Sequence, residues 1–125
     1  MISHVTIGTN DLPRARAFYE AVLGVIGAKS GPGVGDRVNF RRGPGEPMIV
    51  LTTPVDGQPA CVGNGSMVSL ACKDKAQVQA VYDAAMAEGA VSEGAVGPRG
   101  AKDEFYGGYF RDPDGNKLAA FALNR

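Results

Sequence analysis

A chain of 125 residues is the size of one domain and can hold a hydrophobic core. Apolar residues make up 44% and charged residues 21%, which excludes a disordered chain. Thirteen basic side chains balance thirteen acidic ones, which excludes a nucleic-acid or anionic-membrane partner held by bulk charge. No apolar run is long enough to span a bilayer, and no basic-then-apolar leader opens the sequence, so the cytoplasm is the expected location. Cys61 and Cys72 are too few for a disulfide framework and read as buried free thiols in a reducing compartment.

In chain order, residues 2–8 (ISHVTIG) alternate as a strand. Asn10 or Asp11 can cap the helix that follows, with Pro13 in its first turn. Ala15, Phe18, Tyr19, Val22 and Leu23 form one apolar stripe at helical spacing, and Gly24 ends it. Residues 25–29 read as a short strand and Gly31-Pro32-Gly33 as a breaker. Residues 36–42 and 47–52 read as a hairpin joined by Gly43-Pro44-Gly45-Glu46. The irregular run 53–65 (TPVDGQPACVGNG) places a linker at about 55–65.

The pattern then repeats. A slide of 63 positions lays HVTIGTNDLPRARAFYEAVLG over MVSLACKDKAQVQAVYDAAMA, so that Val5 meets Val68, Asp11 meets Asp74 and Tyr19 meets Tyr82. Residues 66–72 form the matching strand, Asp74 caps the matching helix and Gly89 stops it. Residues 92–104 read as a long irregular loop, either a lid or a plain connection. The closing hairpin turns on Asp112-Pro113-Asp114-Gly115-Asn116, residues suited to a turn. It overlays the first hairpin at an offset of 70, Phe40 on Phe110 and Arg41 on Arg111. The order β-α-β-β-β therefore occurs twice, in one α+β domain spanning 1–125. Module one covers about 1–54 and module two about 66–125.

This duplication, with HVTIGTNDLPRARAFYE near the start and YFRDPDGNKLAAF near the end, resembles the vicinal oxygen chelate superfamily. That is the group of glyoxalases, bleomycin-resistance proteins and extradiol dioxygenases. The resemblance implies two tandem modules forming a curved mixed sheet around a cavity, often in a homodimer. It also implies four metal positions, on the first and last strands of each module. In this chain they fall on His4, Ile49, Met67 and Ala119, the second of these set by the offset of 70. His4 is the one good ligand among them, and a catalytic divalent metal needs about three protein donors. The expectation is therefore a member without metal and without any other cofactor.

Strand alternation gives an expected cavity lining. His4 and Thr6 share a face, as do Ile49 and Leu51, Met67 and Ser69, and Ala119 and Phe121. In simple register Tyr109 lies opposite Ala119, and Asn39 opposite Ile49. Arg99 and Tyr106, with Lys102 and Phe105, are placed to close over an anionic or aromatic ligand. An apolar wall with sparse polar handles suits a small-molecule pocket, although the same aliphatic positions serve equally as core. Asp112 and Asp114 fit a turn and not a calcium loop.

The leading functional expectation is a metal-independent glyoxalase/bleomycin-resistance-like protein. It would bind a small, partly apolar organic molecule in the cavity. One alternative is a glyoxalase-like lyase or isomerase acting on a small carbonyl compound, with His4 or Tyr109 moving protons. A further alternative is a pocketless interaction protein.

Overall fold

A computed structural model describes residues 1–125. Module one runs β1 (His4–Gly8), α1 (Leu12–Gly24), β2 (Lys29–Pro32), β3 (Val38–Arg41) and β4 (Met48–Thr52). Module two runs β5 (Val68–Ala71), α2 (Lys75–Ala87), β6 (Val91–Arg99), β7 (Phe105–Arg111) and β8 (Lys117–Leu123). Each module folds as one four-stranded mixed sheet, in the order β1-β4-β3-β2 and β5-β8-β7-β6. The first and last strands of each module pair in parallel, and the remaining pairs are antiparallel. The sheets are curved and do not close into a barrel. Neither helix is long and apolar enough to cross a membrane.

The helices start and stop where their end residues dictate. Asp11 and Asp74 each accept a hydrogen bond from the backbone N–H three residues on, at Arg14 and Gln77. This satisfies an orphan donor of the first turn. Past each helix a glycine takes a left-handed conformation, Gly27 at φ 85° and Gly89 at φ 91°. The next amide then reaches back to an orphan carbonyl, Ala28 to Leu23 and Ala90 to Ala85. Two expected boundaries move. The strand expected at 25–29 lies at Lys29–Pro32, because residues 25–27 complete this helix stop. The loop expected at 92–104 is mostly strand β6. Its register against β7 shifts twice around Gly94, and that irregularity erases the alternation a sequence reading relies on.

The core lies between the helices and one face of each sheet. Ala15, Phe18, Tyr19, Val22 and Leu23 of α1 are buried, as are Val78, Val81 and Ala85 of α2. They meet Ile7, Val38, Phe40 and Leu51 in module one, and Leu70, Phe110, Leu118, Ala120 and Ala122 in module two.

Ile49 and Leu51 therefore face the helices. They do not share a face with His4 and Thr6, contrary to the expected lining. In β3–β4 the pairs are Phe40 with Ile49 and Asn39 with Val50; in β7–β8, Phe110 pairs with Leu118 and Tyr109 with Ala119. Phe40 to Ile49 is nine positions, whereas Phe110 to Leu118 is eight, so the first hairpin is one residue longer. A single offset of 70 cannot hold across both hairpins, and a one-residue slip exchanges the two faces of a strand. The counterpart of Ala119 is thus Val50. Tyr109 does lie opposite Ala119, as its own hairpin predicts.

Candidate functional site

The face of each sheet that points away from the helices is open, and the two open faces differ. In module two, β7 presents Phe105, Gly107 and Tyr109, and β8 presents Lys117, Ala119 and Phe121. The Tyr109 and Phe121 rings meet edge-to-face at 5.7 Å, and Phe105 meets Phe121 at 6.2 Å. Such pairs contribute about 0.5–1.5 kcal/mol each beyond their buried area. Two cations lie over the Tyr109 ring, the Arg99 guanidinium and the Lys117 ammonium, each 5.4 Å from its centroid. Arg99 is held by hydrogen bonds to the carbonyls of Ala95 and Pro98. Arg111 donates to Glu93, and that bond keeps the Glu93 carboxyl below its ordinary range.

Glycine makes this wall possible. Gly107 pairs with Phe121 and Gly94 with Tyr109. A Cβ at Gly107 would stand 2.8 Å from the Phe121 ring, and one at Gly94 would stand 3.2 Å from the Tyr109 ring. Each ring lies over a glycine of the neighbouring strand. The sequence names Tyr109, Phe121, Arg99 and Phe105 as site candidates, but not Lys117 or the two glycines. Alternation with Tyr109 and with Phe121 was the available signal. Ala119 is fully buried and floors the wall without reaching its surface. Tyr106 faces the opposite way, against the core and under the Lys75 ammonium, so it is not a partner of Arg99.

The open face of module one is polar. His4 and Thr6 are exposed on β1, and a hydrogen bond of 3.1 Å links the His4 ring to Ser3. Asn39 lies on β3, and Arg37 donates to Thr52 at 3.3 Å. Between the sheets, on this open side, a hollow of about 310 Å³ is lined by Thr6, Gly8, Cys61, Ser66, Met67 and Lys117. The linker roofs it, tied down by two hydrogen bonds between the Asn10 side chain and the Ala60 backbone. Cys61 is exposed there, contrary to expectation, because the linker lies over the seam and not within a core. Cys72 is half-buried, and burial pushes its thiol up. Of the expected lining, Thr6 and Met67 meet in this hollow, and Met67, Ser69 and Ile49 line a separate one on the seam. Asn39 lies in a third hollow, and Leu51 is core.

One end of the seam is fastened by the Asp112–Asn116 turn. Buried Tyr19 donates to Asp112 at 2.6 Å. Asp112 also accepts the Asp114 and Asn116 amides and the Asn116 side chain. The Asn116 side-chain amide donates to the Gly8 carbonyl of module one as well. Asp114 accepts from the Thr9 hydroxyl and the Asn10 amide, with Arg14 at 3.4 Å. Burial first, and then the Asp112 charge, push the Tyr19 phenol well above its ordinary pKa. The turn assignment holds, but the turn also joins the modules, which no local pattern reveals.

The glyoxalase/bleomycin resistance protein/dioxygenase superfamily model matches residues 1–120. The chain belongs to this superfamily. A glyoxalase/bleomycin resistance protein from Albidiferax ferrireducens T118 is similar at 40% identity and a TM-score of 0.88, over 97% of each chain. A glyoxalase/bleomycin resistance protein/dioxygenase family enzyme from Burkholderia phytofirmans PsJN shares the fold at 18% identity and a TM-score of 0.75, over 98% of each chain. So does a lactoylglutathione lyase from Agrobacterium tumefaciens, at 24% identity and a TM-score of 0.69, over 97% of this chain and 92% of that one. No curated protein matches the chain.

For a superfamily member the metal question is decided by donors. With the register corrected, the four positions carry His4, Val50 and Ala119 on strands β1, β4 and β8, and Met67 one residue before β5. Nowhere in the chain do three His, Cys, Asp or Glu side chains converge on one point. The residues present do not fit a catalytic divalent metal, which takes about three protein donors and leaves a position for water or substrate.

Proposed function

We propose that this superfamily member binds a flat, partly apolar organic anion on the open face of module two. Rings and cations supply the recognition in place of a metal. The carrying observation is the Tyr109 ring, edged by Phe121 and overlain by Arg99 and Lys117. Apolar area with a few directional charges is the ordinary composition of a ligand site. Arg99 suits a carboxylate, and the rings suit an aromatic or conjugated body. The lyase reading is weaker, because stabilising an enediolate calls for a Lewis acid whose donors these faces lack. A homodimer is part of the proposal, and the exposed cross-strand pair Phe105–Leu123 is apolar surface for it to cover.

Fluorescence or calorimetric titration with naphthoate tests the reading. Saturable binding is expected, weakened about tenfold by Tyr109→Ala. Absence of saturable binding by naphthoate and related aryl carboxylates would overturn it.

A further inference from the structure

The duplication has two pseudo-equivalent ends, and only one is fastened by its turn. Position 42 corresponds to Asp112, since each lies two residues after the matching Phe40 or Phe110. It is arginine. The first turn reads Gly43-Pro44-Gly45-Glu46, with no Asp or Asn to fasten anything, and Arg42 pairs with Glu46 inside its own turn. Tyr82, the counterpart of Tyr19, donates to Ser92 of its own module and does not reach across. The first turn makes no bond to module two, and a single side-chain bond crosses the seam at this end, from the Gln77 amide to the Val25 carbonyl at 3.2 Å. A wedge of about 420 Å³ enters there, walled by Leu23, Phe40, Ile49, Val68 and Leu70, with Arg41, Arg42 and Glu46 at its mouth. Its volume falls within the range of small-molecule pockets, roughly 300–1,000 Å³. It lies away from the Tyr109 wall.

The charges at the mouth say what enters. Arg41 and Lys29 are direct cross-strand partners, both exposed and neither in an ion pair. Like charges placed opposite one another on a sheet repel. Arg41 borders both the wedge and the adjoining hollow that contains Lys29. An anionic group there would relieve the repulsion while an apolar tail filled the wedge. We propose that the end of the seam at the first turn is a second ligand site, one that takes a small amphipathic carboxylate. Its tail lies between the modules and its head on Arg41 and Lys29.

Decanoate, titrated into the full chain by calorimetry and by methyl NMR, tests this. Expected are saturable one-to-one binding, shifts in the Leu70, Ile49 and Val68 methyls, and about tenfold weaker binding to Arg41→Gln. Decan-1-ol, lacking the charge, should bind wild type and Arg41→Gln alike. Four results would overturn the site. They are no saturation, shifts confined to the Tyr109 and Phe121 face, equal binding by decyltrimethylammonium, or a change of sedimentation in Arg41→Gln showing that a second copy covers the wedge. Arg41 is exposed, so its replacement leaves the fold intact and the comparison valid.

Discussion

The two ends of the seam begin from the same β-α-β-β-β plan and finish differently. At one end a buried carboxylate gathers a phenol, two backbone amides and a side-chain amide, and it locks module two onto α1. At the other an arginine occupies the equivalent position, satisfied by a neighbour within its own turn. Asp112, Asp114 and Asn116 of the second turn all bond to module one, whereas the first turn carries no such side chains and only Gln77 bonds across at that end. The contrast teaches that duplicated folds diverge most where the copies touch. Core positions in each copy answer to their own helix and sheet, whereas seam positions answer to the other copy.

The largest test of this contrast is Asp112→Ala. It strips four donors of a buried, charged acceptor, and the loss in urea unfolding should be about 3 kcal/mol or more. Arg42→Ala at the first-turn end removes a half-exposed ion pair, and its cost should stay within about 0.5 kcal/mol. Equal losses would erase the distinction between the ends.

Tyr19→Phe should cost about 1.5–3 kcal/mol, the worth of a hydrogen bond to a charged group, against about 1 kcal/mol or less for Tyr82→Phe. The Tyr19 phenol also confers a pH dependence. Its folded-state pKa lies well above the unfolded value of about 10. The folded chain therefore keeps a proton that the unfolded chain releases. This contribution is fully present below about pH 10 and declines as pH rises toward the folded-state value. Denaturation at pH 8 and pH 11 should show wild type losing more stability than Tyr19→Phe. Parallel losses would place the alkaline transition elsewhere.

A smaller effect is expected at Gly107→Ala, which pushes on the Phe121 ring and the Ala120 carbonyl. Overpacking costs typically about 1–3 kcal/mol, and displacement of Phe121 should weaken naphthoate binding in parallel. Undiminished binding would separate the ring wall from the ligand.

Much of this was legible in the chain. Caps, helix stripes and the second hairpin follow from local chemistry, so Asp11, Asp74, Gly89 and the Tyr109–Ala119 pairing fall where expected. The first hairpin misled because its extra residue sits in a glycine–proline turn, where no periodicity marks an insertion. Ile49 and Leu51 moved to the core as a result. Strand β6 was illegible because Gly94 and Gly97 suppress the alternation that marks a strand. Those glycines make room for Tyr109 and Arg99, so the residues that build the candidate site are the ones that hid it. The fastening by Asp112 joins residues 93 positions apart, beyond the reach of any local pattern.

The most direct test of recognition without a metal is a calorimetric titration of stripped protein with nickel, zinc, manganese and ferrous ions, using His4→Ala as control. The donor set of one exposed histidine predicts no stoichiometric binding and no difference between wild type and His4→Ala. Tight, saturable binding that His4→Ala abolishes would contradict it and show that further donors reach His4, from this chain or from a partner copy.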